Sequence, residues 1–464
     1  MTEQQMNSNP TYQQPSCTPC AACNESNTTT TRKRDVNETK TIANDTARRV
    51  PQLRFPEFQN AGEWESASFT DLFSLLPNNT LSRAELSTDG EGIYNIHYGD
   101  ILIKFPSYIN VQKTTLPCIK EATKISNISK ARLKDGDIVI ADTAEDETAG
   151  KCIEIGNVKN TAVVAGLHTI PCRPNKRFAP AYLGYYMNSH AFHSMLLPIM
   201  QGAKVTSISR TALKSVIIYY PSSIEEQQKI ADCLLTIDDK IATQTQKIEE
   251  LKTHKNALLQ KLFPQIGKNT PELRFPDFTG DWEEIIVGDA IKIITPPKKL
   301  QSREFNTIGH FPIIDQSQAY ICGYSDDDTA IMNKESQKLI VFGDHTCILK
   351  LVDFPFIQGA DGIKIFRSKN QKRIDTKFMY YTMQQFHIAP IAYKRYFSEL
   401  RSKKILFPSS LNEQQKIAAC LQSIDNEIFA TMKKLELLQM QKNALMQQLF
   451  IKYKPVGGIK NCVL

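Results

Sequence analysis

Cys17, Cys20 and Cys23 form a C-x-x-C-x-x-C run, the ligand type and spacing of a zinc site. A structural zinc takes four ligands, and no fourth Cys or His lies nearby. The run therefore reads as an incidental cluster in a polar tail. "TAGKC" at 148–152 resembles the end of a phosphate-binding loop, but Glu145 stands where the loop needs Gly, and Cys152 where it needs Ser or Thr. "DGEGIYN", with Gly90 and Gly92, lacks the third glycine of a dinucleotide fingerprint. "TPPKK" near Pro296 is not the Asn/Asp-Pro-Pro-aromatic motif of amino-methyltransferases, and no G-x-S-x-G occurs. His190 and His193 share a helical stretch without a neighbouring carboxylate or thiol and read as a surface or packed pair. His345, beside Asp344, reads as a turn residue. The chain offers no catalytic residue and no metal site, and no cofactor is expected on it.

Two basic stretches do stand out. Residues 201–224 carry Lys204, Arg210 and Lys214 and no acid. Residues 388–411 carry Lys394, Arg395, Arg401, Lys403 and Lys404 against a single Glu399, with Tyr393 and Tyr396 interleaved. Lys and Arg beside hydroxyl and aromatic groups suit phosphates and base edges. A solvated basic surface is the competing reading, and the matching position of the two stretches favours the first. Lys204, Arg210, Lys214, Lys394, Arg395, Tyr396, Arg401 and Lys403 are the expected DNA contacts.

Each basic stretch leads into a repeated segment. Residues 225–263 and 412–450 align without gaps with 21 identities in 39 positions. Ser223 with Glu226, and Ser410 with Glu413, have capping-box spacing, and Pro264 ends the first copy. Steps of four and three from Ile230 reach Leu234, Ile237, Ile241, Gln244, Ile248, Leu251, Lys255, Leu258 and Leu262. The second copy reaches Ile417, Leu421, Ile424, Ile428, Thr431, Leu435, Leu438, Lys442, Leu445 and Leu449, its two polar breaks at the same places. This 3.5-residue period predicts two helices, each roughly 58 Å long at about 1.5 Å per residue, paired antiparallel within the chain as a coiled coil. The seam is expected to use Ile230, Leu234, Ile237, Ile241, Leu251, Leu258, Ile417, Leu421, Ile424, Ile428, Leu438 and Leu445. Lys255 and Lys442 would set its register.

A second repeat, "PQLRFPEF" at Pro51 and "PELRFPDF" at Pro271, precedes the only two tryptophans, Trp64 and Trp282. The order is head, body, long helix, twice over. The two bodies match poorly and differ by about 33 residues, so they read as diverged inserts in a duplicated frame. "DGDIVIADT", "SVIIYYP", "KLIVFGD" and "GIKIFR" predict strands in them, and the runs from Ala179 and Asp375 predict helices. The fold class is α+β: two domains separated by two long antiparallel coiled-coil helices, with a pseudo-two-fold internal repeat. The expected boundaries are a disordered polar tail over 1–50, a first body over 51–222, a helix over 223–263, a second body over 264–409, a helix over 410–450 and a tail over 451–464.

The net charge of +7 permits a nucleic-acid partner without demanding one. Eleven scattered cysteines fit reduced thiols in a cytosol, no apolar run spans a membrane, and the N-terminus does not read as a secretory signal.

The head "PELRFPDFTGDWEE", the "P-x-x-x-x-EQQKIA" junctions at Pro221 and Pro408, the "KNALLQKLF" helix end and "GDHTCILKLVDFPFIQGADGIKIF" together resemble the specificity subunit of type I restriction–modification systems. The likeness covers about residues 51–450. It implies that each body is a target-recognition domain reading one half of a split site in double-stranded DNA. The helix pair would set the gap and dock two modification subunits. Those subunits would hold S-adenosylmethionine and methylate adenine, and restriction/motor subunits using ATP and magnesium would complete a cytoplasmic complex. The polar tail departs from the family pattern and leaves open how the two chain ends meet. A coiled-coil adaptor that reads no DNA sequence is the alternative.

Overall fold

The computed structural model describes residues 49–121, 128–202, 204–360, 362–386, 388, 390 and 394–451. Cys17, Cys20, Cys23, Tyr393 and nearly all of both terminal tails lie outside them. Two long helices, Ile224–Leu262 and Leu411–Gln448, dominate the described chain. Ser223 and Ser410 cap them, each side chain accepting from the backbone N–H three residues on.

The two bodies share the strand order of their main sheet and the centre of their second. In the first, a sheet runs Phe73–Leu75, Thr169–Pro174, Ile138–Ala141, Cys152–Gly156 and Tyr108–Asn110. In the second, the order is Ile291–Ile294, Ile363–Ser368, Leu339–Gly343 and Leu349–Val352. The first three pairings are antiparallel in both. A second sheet in each body contains an equivalent parallel pair, Ile93–Ile96 beside Ala162–Ala165 and Phe311–Ile314 beside Phe356–Gly359, and the second body adds a further one, Lys299–Leu300 beside Phe356–Gly359. An antiparallel pair then ties each body to its helix: Glu65–Ser68 with Ile217–Tyr220, and Glu283–Ile286 with Lys404–Phe407.

The two bodies are thus diverged in sequence over a common main sheet. A strand buried on both faces asks only for apolar side chains of suitable shape. Ile138–Ala141 and Leu339–Gly343 are buried throughout and share a place in the sheet with few identities. The first body adds a helix, Tyr98–Ile103, and the strand Tyr108–Asn110, which has no counterpart in the second. The run from Ala179 is two helices, Tyr182–Met187 and His190–Leu196, because Asn188 turns its amide onto the backbone of Cys152 and Ser189 caps the next turn.

Each body has its own core, and both long helices enter both cores. Trp64, Tyr182, Tyr186 and Phe192 pack with Ile230 and Leu234 at the start of the first long helix and with Leu449 and Phe450 past the end of the second. Trp282, Phe378 and Phe397 pack with Ile417 and Leu421, and with Leu262 and Phe263.

Candidate nucleic-acid interface and its frame

The repeated motifs bond to one another. Arg54 of the first head sends Nε and Nη2 to the two carboxylate oxygens of Glu226, both at 2.7 Å, and Nη1 to the carbonyls of Ala61 and Gly62. Trp64 Nε1 donates to the same carboxylate at 3.2 Å. In the second half Arg274 grips Glu413 at 2.8 and 2.9 Å. Glu226 and Glu413 therefore do not complete the capping boxes that their spacing suggests; their side chains turn away to the head arginines. Trp282 Nε1 finds no acceptor among the described residues, so the second clamp has one bond fewer. The neighbouring glutamine fastens the body: Gln227 accepts from the Ala179 amide and donates to the Pro221 carbonyl, and Gln414 does the same with Asp375 and Pro408.

Each head also sits on the end of a long helix. The Leu273 amide donates to the Lys261 carbonyl, and the Leu53 amide to the Gln448 carbonyl, both at 2.9 Å. The first contact joins neighbours in sequence. The second brings the described start of the chain to its described end, which closes the frame.

Two matched triads hold the helices in one antiparallel register. Lys442 Nζ lies 2.6 Å from Asp238, whose other oxygen accepts from the Tyr185 hydroxyl at 2.7 Å. Lys255 Nζ lies 2.7 Å from Asp425, which accepts from Tyr381 at 2.8 Å. Burial, with the aspartate beside it, pushes both phenols far above their ordinary range, so they act as fixed donors. All ten seam positions in each helix are buried or half-buried. Ile230, Leu234, Ile417 and Leu421, expected in the seam, pack in the body cores, because the pair ends there.

The expected DNA contacts separate into exposed and structural groups. Lys204, Lys214, Lys394, Arg395 and Arg401 are exposed, and Lys403 is half-buried. Tyr396 is 1% exposed, in the second core, and its amide donates to the Asp344 carbonyl. It cannot present a face to DNA; the aromatic that seemed interleaved with charge is a core residue. Arg210 is half-buried, with its guanidinium on the Leu76 carbonyl and Asn78 Oδ1, where it braces a loop. Among the other sequence candidates, His193 Nε2 lies 2.7 Å from the Glu147 carbonyl and Cys152 is buried in a strand, where burial pushes its thiol well up. No cluster of metal-ligating side chains occurs among the described residues, and no described helix is long and apolar enough to cross a membrane.

A doubled head–body–helix frame defines an internally duplicated protein with two corresponding bodies. Residues 62–253 and 279–439 each match the family described as the type I restriction modification DNA specificity domain. The chain belongs to that family and is a type I specificity subunit carrying two copies of its domain. Over 423 residues it is 26% identical to the candidate type I restriction enzyme MjaX specificity subunit of Methanocaldococcus jannaschii, covering 83% of this chain and 92% of that one. It is 25% identical over 140 residues to the EcoR124I/EcoR124II specificity subunit of Escherichia coli, covering 29% and 35%. The fold is also that of the type I S subunit from M. genitalium, at a TM-score of 0.58 and 15% identity, over 87% of this chain and 100% of that one.

Proposed function

We propose that each body reads one half of a bipartite DNA site and that the helix pair, an antiparallel coiled coil with its ends sunk in the two cores, sets the gap between the halves. The observation that carries this reading is the pair of matched triads, Tyr185–Asp238–Lys442 and Tyr381–Asp425–Lys255, which hold two equivalent bodies at one separation. The division into bodies at 51–222 and 264–409, with helices at 223–263 and 410–450, belongs to the same proposal. Exposed Lys204, Lys214, Lys394, Arg395 and Arg401 would contact phosphates, which position a protein on DNA without reading it.

The helix pair would also dock two modification subunits. Its second helix exposes Phe429, Met432, Leu437 and Met440, an apolar stripe that a free surface has no reason to keep. S-adenosylmethionine would belong to those subunits, and ATP and magnesium to the restriction subunits of a cytoplasmic complex; this chain would contribute recognition and no chemistry.

Inserting seven residues, two turns in phase with the seam, at the middle of both helices tests the ruler. It lengthens each by about 10 Å at 1.5 Å per residue, or about three base pairs at 3.4 Å each. Methylation mapping should show unchanged half-sites and a longer gap. An unchanged gap refutes the ruler, and methylation without any split motif supports the adaptor alternative.

A further inference from the structure

The two bodies share the strand order of their main sheet, so equivalent positions can be paired through their hydrogen bonds. The Asp142 amide donates to the His168 carbonyl, and the Asp344 amide to the Gly362 carbonyl. The Asp142 carbonyl accepts from Ile208, and the Asp344 carbonyl from Tyr396. Asp142 thus corresponds to Asp344, Thr143 to His345 and His168 to Gly362. The parallel strands give His97 and Gln316 as a further pair, each two residues past a matched position in the ladder.

These positions gather where the parallel strands of each body end, the edge of a sheet at which α/β folds place ligands. In the first body, the His168 side chain is 47% exposed, its Nδ1 3.4 Å from Asp142. The half-buried Tyr98 ring meets it edge-on at 5.2 Å, and Thr143 Oγ1 lies 3.5 Å from Nδ1. In the second, His345 Nδ1 lies 2.9 Å from the Lys394 carbonyl, its amide donates to Gln316 Oε1, and Thr346 donates to the Gln316 carbonyl. Both basic stretches pass here: Thr206–Ser207 pairs with Thr143–Ala144, and the Lys394 carbonyl meets the His345 ring.

His168 is one of several non-glycine residues with a left-handed backbone, and its counterpart in the other body is a glycine. Its φ is 54°, and Gly362, its counterpart, has φ 89°. The turn needs a left-handed residue, which glycine supplies at least cost. The second body uses glycine; the first keeps a histidine there, at a conformational cost that its fold does not require.

We propose that these two clusters are the base-reading surfaces: Tyr98, Thr143 and His168 for one half-site, and Gln316, His345 and Thr346 for the other. The proposal rests on the bipartite reading above and assigns it to side chains. One backbone frame with different donors and acceptors on it is what two unlike half-sites require, since hydroxyl, amide and imidazole groups discriminate base edges. Lys394 lies beside the readers of the second body, where a phosphate would pass.

The test is a methylation map of cells carrying the modification subunit with each variant of the full chain. His168→Gly relieves the left-handed strain, so the variant should melt no lower than the parent. It should lose discrimination, about tenfold or more, at one base of one half-site, as expected on removal of a base contact. Gln316→Ala should relax one base of the other half-site alone. The gap and the opposite half-site should not change. An unchanged motif in both variants overturns the proposal, as does equal loss of both half-sites in variants that melt like the parent. A parent chain that gives no split motif would instead refute the bipartite reading itself.

Discussion

Replacing Arg54 with alanine breaks the clamp that fastens the first head to the first long helix, beside the Leu53 amide that closes the frame. The Arg54 and Glu226 side chains are 7% and 2% exposed, so neither charge has water to fall back on. Two 2.7 Å bonds are lost, and Glu226 keeps only Trp64. Removing one partner of a buried pair costs about 3–5 kcal/mol. For a cooperative unit of about 200 residues each kcal/mol moves the midpoint by about 2–4 °C, so the expected fall is roughly 6–20 °C. The location of the damage is equally specific. The first head is held to the second helix by non-covalent contacts, among them Leu53 with Gln448 and Trp64 with Leu449 and Phe450, whereas the second head follows directly on the helix it caps. Arg54→Ala should therefore speed amide exchange at Leu53 and Trp64 far more than Arg274→Ala does at Leu273 and Trp282. A midpoint within about 2 °C of the parent, with Leu53 still protected, would mean that the pair is worth no more than a surface ion pair. The clamp argument would then be wrong.

Three further outcomes follow. Lys255→Met with Lys442→Met makes the seam more apolar but removes what fixes its register; methylation maps should show more than one gap length, and a single unchanged gap would refute the role of the triads. Lys394→Ala with Arg395→Ala should weaken DNA binding at all sequences alike and reduce the slope of log K against log salt by about 2, at roughly 0.9 per lost phosphate contact; an unchanged slope would make this stretch a bystander. Glu154 accepts from the Ala181 and Gly184 amides, and burial, opposed by those bonds, pushes its carboxyl up from 4.5 to about 7. The native state then holds a proton that the unfolded chain releases, so this site's contribution to stability is full below pH 4.5 and is lost as pH rises through about 7. Glu154→Gln should remove that part of the pH dependence of the first body's melting, and an identical dependence in the variant would rule the group out.

The long helices were legible because their signals are local: a serine cap, a 3.5-residue period and a terminating proline lie within one segment. The strands were legible as β-branched runs bounded by turn residues. The equivalence of the bodies was not, since a doubly buried strand constrains shape and apolarity rather than identity. Arg54 and Glu226 were each visible in a repeated motif, but no local rule joins residues 172 apart. The capping-box spacing even gave Glu226 a different partner. Tyr396 misled for a related reason, as a basic stretch in sequence can turn a single aromatic inward while its lysines stay in water. His168 carried no signal at all; its left-handed backbone and its place between Asp142, Tyr98 and Thr143 appear only in the fold.

The central claim is that this chain alone decides which DNA sequence is modified. Adenine methylation should be mapped across the genome in cells holding the chain with its modification subunit, and in cells lacking only the chain. A split motif with a constant gap, lost when the chain is removed, is the expected result. Identical maps in the two cells would contradict it.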